Sequence, residues 1–507
     1  HQFRGRVNLQ TQFPDAWENS ALQLPESSRE AIENIVKDSI HESAQLNQYT
    51  SLIGNIMAAR VSSLWDFSGP AFTLSAEENS VFRCLEVAQL LFDTSDVEAV
   101  VIASVDLAGS MENVLLRQQF GVLNAGNCSL SFETDTDGWQ IGEGAGAIVL
   151  RRKEDAAHED QNVYASIDGI IIQSGMDADS VSRACKESMH QAGANANSVE
   201  YLELNGSGFK EQDEAEIAGI IAAYGESDSR NCALGSVKAN IGHTFNASGI
   251  ASIIKAALCL HNRYLPGVPN WNSTDSEALN GADAFYLPVV SKNWFKNKSD
   301  GARMAGVNSL STDGTAAHVI LSEVVDAKRG NDYLHSQAMQ LIPMVGASRE
   351  ELVARLNDLK GDAAAGKSIP EIASEFYRLT GEHAGDSYAA VVIGDTQETV
   401  LREIKLLESG IESAFSSGGY WQSPSGSCVS AKPLGQTGKT TFVYTGAFNS
   451  YLNLSKDMFQ LFPELHGYVE KHSDRLASLM GDRTFFPRCT TRPSEDELRT
   501  MARALPE

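Results

Sequence analysis

Positive charge is what this chain has least of. Lysine and arginine total 40 against 66 aspartates and glutamates, a formal charge of −26. Such a surface repels a phosphate backbone and no basic stripe compensates, so direct nucleic-acid binding is excluded. Long apolar runs are also missing: Val100–Ile102 is short, and Ile250–Leu260 is broken by Lys255. A membrane span needs roughly 18–20 apolar residues, so none is expected. The seven cysteines (Cys84, Cys128, Cys185, Cys232, Cys259, Cys428 and Cys489) stand singly, with no CxxC and an odd total. That usage fits a reducing compartment rather than a disulfide framework, and the cytoplasm is expected. No metal site is expected. The opening at His1 has neither a Met nor a charged-then-apolar leader, and the expectation is a segment that begins inside a longer protein.

What is present is an ordinary globular composition, 42% hydrophobic and 21% charged over 507 residues. That length suggests about two to four domains. Residues 1–50 are mixed and polar, with a helical pattern around Arg29–Ser43. From Ile53 to Val325, short β-branched runs (Ala99–Val105, Ala147–Leu150, Val163–Ile172, Val319–Val324) alternate with helix-length amphipathic segments. Alternating strands and helices predict α/β layers around a largely buried sheet. Ile250, Ile253, Ile254, Ala257 and Leu258 recur at helical spacing within Gly249–Arg263 and mark one buried face. The polar stretch Asp326–Ser336 reads as a boundary. Beyond it lies a second αβ pattern, with helices at Glu350–Leu359 and Thr399–Ser409, a strand at Tyr388–Ile393 and a loop at Ser416–Gly426. Thr441–Tyr444 reads as a strand opening a third unit.

Two motifs mislead. Gly435-Gln-Thr-Gly438-Lys439-Thr440 imitates a phosphate loop, but the glycine needed five positions before the Gly-Lys pair is Pro433, which has no N–H to offer. Gly142-Glu-Gly144-Ala-Gly146 imitates a dinucleotide fingerprint. A true fingerprint follows a strand and opens a helix. Here the glycines precede the apolar run Ala147–Leu150, and the simpler reading is a tight turn into a buried strand.

Four local sequences carry more. They are Gly69-Pro-Ala-Phe-Thr-Leu-Ser-Ala-Glu-Glu78-Asn-Ser80, Asp137-Gly-Trp-Gln-Ile-Gly-Glu-Gly-Ala-Gly146, Val237-Lys238-Ala-Asn-Ile-Gly-His243-Thr244, and Ala305 to His318. In this order they resemble the β-ketoacyl synthase (ketosynthase) family over residues 50–325. The resemblance implies a thiolase-like layered α/β fold of two similar βα halves. It places them at roughly 1–165 and 166–330, with the first N-terminally incomplete. Active members hold a cysteine at the N-terminus of a buried helix, where dipole and amides stabilise a thiolate. Two histidines and a lysine complete that site.

Aligned on Gly69-Pro70, the nucleophile position is Glu78, and the first histidine is Asn205 within Asn205-Gly206-Ser207-Gly208-Phe209. Asp213 and Glu216 still match the family pattern, as do the second histidine, His243, and its lysine, Lys238. Thr312 takes the place of a gating Phe, and Asp313 and Ala316 also depart. An acyl group on Glu78 would be a mixed anhydride, uphill to form and easily hydrolysed. Glu78 therefore reads as an anion in the thiolate's place, stabilised by the helix N-terminus. Asn205 can donate a hydrogen bond but cannot shuttle a proton. For His243 and Lys238 the other reading is packing and hydrogen bonding in the core, and Cys84 reads as a small core residue.

Members without a nucleophile are chain-length factors, which pair with an active ketosynthase and shape its acyl tunnel. The run from Asn55 to Ser80 looks like such domains in polyunsaturated fatty acid synthases. Residues 331–437 resemble the small αβ linker between ketosynthase and acyltransferase. Phe442-Val-Tyr-Thr-Gly446-Ala447-Phe-Asn-Ser-Tyr451 looks like an acyltransferase opening with Ala447 at its oxyanion glutamine, so 438–507 reads as a truncated acyltransferase start. The expected function is thus a non-condensing ketosynthase-like domain in fatty acid biosynthesis. The alternatives are a malonyl-ACP decarboxylase using Glu78 and His243, or a 3-oxoacyl-ACP synthase with an unusual nucleophile. The partners implied are an active ketosynthase or a second copy, and an acyl carrier protein. No cofactor is expected beyond that carrier's phosphopantetheine. Arg151, Arg152 and Lys153 are the densest basic cluster and read as a solvated strand end.

Overall fold

The apolar periodicities of the sequence become a stack of helix and sheet layers. The computed structural model describes residues 2–20, 22–40 and 53–505. Within these it leaves out 109, 120, 122, 125–129, 131–137, 159–160, 226–230, 275, 326, 328–338, 384, 386–387, 435–437, 440, 442, 444–449, 457 and 463. Helices α1 (Gln2–Ser20), α2 (Glu26–Ile40) and α3 (Gly54–Trp65) come first. The helix expected over 29–43 is α2, and 41–43 lie outside the described residues. A single 3₁₀ turn, Glu77–Asn79, leads into α4 (Ser80–Thr94), which buries Val81, Phe82, Leu85 and Ala88 along one stripe.

Strand β1 (Ala99–Asp106) pairs antiparallel with β2 (Gly144–Arg151) along its whole length, with α5 (Met111–Gln118) between them in sequence. The sequence predicts a buried strand after the Gly142 turn. Instead β1 and β2 alternate, and Val101, Val105 and Val149 stand exposed on the outer face. Among the described residues the pair has no further strand beside it.

The rest of the layered unit is better covered. It contains β3 (Ser166–Ser174), α6 (Ala178–Gln191), β4 (Val199–Glu203), α7 (Lys210–Tyr224), β5 (Cys232–Gly235), α8 (Lys238–Ile241) and α9 (Ser248–Asn262). Then come β6 (Tyr264–Leu265), β7 (Phe285–Tyr286), β8 (Lys292–Asn293), β9 (Met304–Ser311) and β10 (Thr315–Ser322). The main sheet runs β3-β10-β9-β4-β5-β7, antiparallel from β3 to β9 and parallel from β9 to β7. Strands β9 and β10 are buried after their first residue, as a sheet covered on both faces requires. One core joins α9 (Ile250, Ile253, Leu260) and α4 (Phe82, Leu85) to Val307 and Val319 of the sheet. A second core joins α6 and α7 (Val181, Ile217, Ile220) to Leu202, Leu234 and Ile320. Helix α9 also touches β2, so the layers run α6/α7, main sheet, α9/α4, β1–β2.

Residues 340–430 build a separate antiparallel sheet with its own core of Ile342, Leu352, Leu356, Val392, Ile404 and Leu407. Its elements are β11 (Gln340–Gly346), α10 (Arg349–Ala364), α11 (Ile369–Glu382), β12 (Tyr388–Gly394), α12 (Gln397–Ser417), β13 (Tyr420–Gln422) and β14 (Cys428–Ser430). The strand order is β11-β12-β14-β13. The Ser416–Gly426 stretch, expected as a loop, contains β13, because Trp421 pairs with Val429 of β14 and packs on α12 at Gly410. Of the expected strand at 441–444, residues 442 and 444 lie outside the described residues and Thr441 and Val443 are not in a strand; most of the acyltransferase-like opening at 442–451 and of the 326–336 boundary also falls outside.

After Tyr451 the chain forms short helices that pack back on the layered unit. Phe459 and Leu476 close over Phe295, and Lys292 pairs with Asp482 at 2.9 Å. Arg263 and Arg303 share Glu323, and each also reaches Glu470 on the helix Glu464–His472. Among the described residues no helix is long and apolar enough to cross a membrane, and no group of three or more His, Cys, Asp or Glu could hold a metal ion.

Candidate functional site

Glu78 sits in the 3₁₀ turn at the start of α4 and is 3% exposed. The residue before it, Glu77, has φ +47, a left-handed backbone that a non-glycine residue holds only when its surroundings insist. Glu78 thus lies at the N-terminal end of α4, and its carboxylate also has partners from another element. Its Oε2 accepts hydrogen bonds from the Thr312 amide at 3.0 Å and from Thr312 Oγ1 at 3.1 Å, across the β9–β10 turn.

The Asn205–Phe209 loop is held by carboxylates from α7. Glu216 accepts from the amides of Asn205 (2.7 Å) and Gly206 (2.9 Å), and Asp213 from those of Ser207 (2.7 Å) and Gly208 (3.2 Å) and from the Ser207 hydroxyl (3.0 Å). Burial pushes Glu216 up to about 7, against the pull of those amides. Gly208 is at φ +91, and a Cβ there would lie 2.5 Å from the Trp139 backbone, so only glycine lets the loop close on Trp139. Lys238 Nζ donates to the Asn205 carbonyl (2.5 Å) and to Asn205 Oδ1 (3.2 Å). Since a lysine only donates, Asn205 must turn its oxygen to Lys238 and its Nδ2 away, and that buried Nδ2 has no hydrogen-bond partner among the described residues. Burial lowers the Lys238 pKa, while Glu216, Glu203 and Glu78 pull it back up.

His243 follows the close approach of two loops. Its amide donates to the Gln140 carbonyl (2.7 Å), and the Gly142 amide donates to the His243 carbonyl (3.1 Å). The His243 ring stands edge-on to Trp139 at 4.9 Å. Its Nδ1 accepts from the Phe245 amide at 3.0 Å, so in the neutral ring Nε2 carries the proton. Burial first, then Lys238 and Arg117, holds its pKa well below the usual value.

The structure therefore joins Lys238 directly to Asn205, places His243 and Glu78 within electrostatic reach of Lys238, and gives Glu78 its hydrogen bonds at Thr312. Sequence reasoning missed Arg117, which pairs with Asp106 and lies over the rings of Trp139 (6.0 Å) and Phe245 (5.6 Å). It also missed Glu203, which accepts from the Val237 amide and Tyr201 and pairs with Lys255 at 2.9 Å. No motif announced either residue. A charged residue inside the apolar run of α9 was the one available hint of Lys255's buried partner.

Chemically, the Asn205 amide and His243 Nε2–H are two fixed donors able to hold an oxygen. The Ser248 hydroxyl lies 3.5 Å from His243 Nδ1. Cys84 packs against the core around α4, and burial raises its thiol pKa. Arg152, from the basic cluster, donates to the carbonyls of Phe92, Ser95 and Val97, so it braces the β1 approach rather than forming a free surface charge.

Known proteins match this chain in domain family and in fold. Residues 25–156 match the beta-ketoacyl synthase N-terminal domain and 164–272 its C-terminal domain. The chain is 32% identical over 496 residues to a polyunsaturated fatty acid synthase subunit of Thraustochytrium, covering 91% of this chain and 24% of the relative. It is 27% identical over 365 residues to polyketide synthase PksL of Bacillus subtilis, covering 69% and 8%. Among solved structures, PfaC keto synthase–chain length factor matches with 42% identity and a TM-score of 0.52, over 65% of this chain and 31% of that one. The ketosynthase from module 6 of the bacillaene synthase of Bacillus subtilis matches with 25% identity and a TM-score of 0.50, over 70% and 62%. The chain thus spans about a quarter or less of the curated relatives it matches.

Proposed function

We propose that this chain, whose residues 25–156 and 164–272 belong to the β-ketoacyl synthase family, is a non-condensing, chain-length-factor-like partner in a polyunsaturated fatty acid or polyketide synthase. The observation that carries this reading is the buried carboxylate of Glu78 at the nucleophile position, engaged by Thr312, with the half-buried Cys84 packed in the core. Condensation needs a group that both accepts and releases an acyl chain, and a carboxylate does this poorly.

Its role is then to pair with an active ketosynthase. Helix α3 supports this, because it buries nothing and exposes Met57, Val61, Leu64 and Trp65, with Phe67 and Phe72 exposed beyond it. A patch of that kind marks a protein interface. The likeness to PfaC keto synthase–chain length factor is further support. On this reading acyl groups arrive on an acyl carrier protein in the cytoplasm, residues 331–437 link to an acyltransferase, and 438–507 begin it.

A second reading has one observation in its favour. The unpartnered Asn205 Nδ2 and the proton on His243 Nε2 could hold the enolate oxygen formed when a malonyl thioester loses CO2. Intact-mass analysis of the chain with malonyl- and acyl-ACP, with CO2 followed in parallel, separates the two. The first reading expects neither adduct nor CO2. An acyl adduct, or CO2 release abolished by His243→Ala, overturns it.

A further inference from the structure

Three residues that depart from the ketosynthase pattern, Glu78, Thr312 and Asp313, lie in two neighbouring sets of hydrogen bonds at the β9–β10 turn. Glu78 accepts twice from Thr312. Asp313 Oδ1 accepts from the Thr315 amide at 3.1 Å and from Thr315 Oγ1 at 2.5 Å. Thr315 in turn accepts from Asn79 Nδ2, at 3.1 Å on its carbonyl and 2.8 Å on its hydroxyl. The Ser311 hydroxyl donates to the Ala76 carbonyl at 3.2 Å. Five bonds therefore stitch the β9–β10 turn to residues 76–79, which are about 235 positions away in sequence.

We propose that Glu78 is a latch: its carboxylate fastens the β9–β10 turn over the Asn205–Lys238–His243 cluster and keeps that cluster closed. Thr312 is exposed, whereas Glu78, which it binds, and Asn205, Lys238 and His243 are 3%, 1%, 6% and 2% exposed, and Glu78 lies within electrostatic reach of Lys238. The pairing is specific chemically. A carboxylate oxygen accepts two bonds at once from one residue's amide and hydroxyl, and a charged acceptor makes the stronger bond. A thiol at residue 78 would be a weak acceptor, and a phenylalanine at 312 would keep the amide but lose the hydroxyl. Glu78 and Thr312 are thus a matched pair, and Asp313 with Asn79 holds the other end of the turn. Glu78 acts as a positioning residue with no bond made or broken. The latch does not depend on whether the chain pairs with a ketosynthase, because it concerns the opening of one turn.

Amide hydrogen exchange of the full chain, read at the Thr312 amide, tests this. Glu78→Ala should accelerate exchange there by about tenfold or more, with Glu78→Gln between it and the unaltered chain, since a neutral oxygen accepts less strongly. Amides in the middle of β10, such as Val319, should not change. Should Glu78→Ala fail to fold, Thr312→Ala, at an exposed position, removes only the hydroxyl and should give a smaller acceleration at residues 312–314. A second readout is alkylation of a cysteine introduced by Asn205→Cys, which should react faster when Glu78→Ala is also present. Unchanged exchange at residue 312 in Glu78→Ala, or in Thr312→Ala if the former does not fold, overturns the latch. So does an introduced cysteine that reacts equally fast in both backgrounds.

Discussion

The Asn205–Phe209 loop and the β9–β10 turn are both held by carboxylates, but in different ways. The Asn205–Phe209 loop is tied by Asp213 and Glu216, which lie on the helix that follows it and are separated from their amides by 5 to 11 positions. The β9–β10 turn is tied by Glu78, 234 positions from Thr312. The first arrangement is local and deep, so every amide it satisfies would otherwise be stranded away from water. The second is long-range and lies just below an exposed residue, so water can replace part of it. A carboxylate in the first place supports folding, whereas one in the second governs whether a turn is open.

The largest effect should come from breaking the deep side. Glu216→Ala strands the buried amides of Asn205 and Gly206, each worth about 1–3 kcal/mol, and should cost roughly 3–5 kcal/mol in urea unfolding. An equal loss in Glu78→Ala would erase the distinction. Gly208→Ala should follow, at about 2–3 kcal/mol, because it combines a left-handed backbone with a Cβ placed 2.5 Å from Trp139.

The third effect is a pH dependence. Glu216 rises from 4.5 to about 7 on folding, so between those values the folded chain holds a proton that the unfolded chain has lost. Its contribution to stability is complete below pH 4.5 and falls as pH rises to 7. His243 and His318, both lowered by burial and His318 to about 3, work in the opposite sense and lose stability below their ordinary value of 6.5. Glu216→Gln should therefore gain on the unaltered chain by about 3 kcal/mol between pH 4.5 and 7.5. A constant difference across unfolding curves at the two pH values would contradict this. The smallest effect is Thr312→Ala, at about 0.5–1 kcal/mol with no change in that pH slope, measured by the same unfolding curves.

Much of the architecture was legible. The runs at Ala99–Val105 and Tyr388–Ile393 are strands within a residue of their expected ends. Of the stripe expected on α9, Ile250 and Ile253 are buried, Ile254 and Ala257 are partly buried and Leu258 is exposed, because the buried face turns toward Ala256 and Leu260 instead. Strand β5 was not legible, because Cys232–Gly235 is four residues ending in glycine and has no alternation to show. The exposed outer face of β1–β2 was hidden for a related reason: alanines and valines read as buried whether or not anything covers them.

By itself the sequence determined what depends on neighbours along the chain. That includes the helical stripes, the glycine at residue 208, the carboxylates that hold the loop before them, and the absence of a thiol at position 78. These follow from backbone geometry and residue chemistry within one or two turns of chain. Only the tertiary structure decided that Glu78 meets Thr312, that Lys238 fixes the orientation of Asn205, and that Arg117 lies over Trp139 and Phe245. Such contacts join elements brought together by burying apolar layers, and the hydrophobic driving force that does so carries no direction of its own. Which polar groups end up facing one another is settled by packing, and a linear sequence does not display packing.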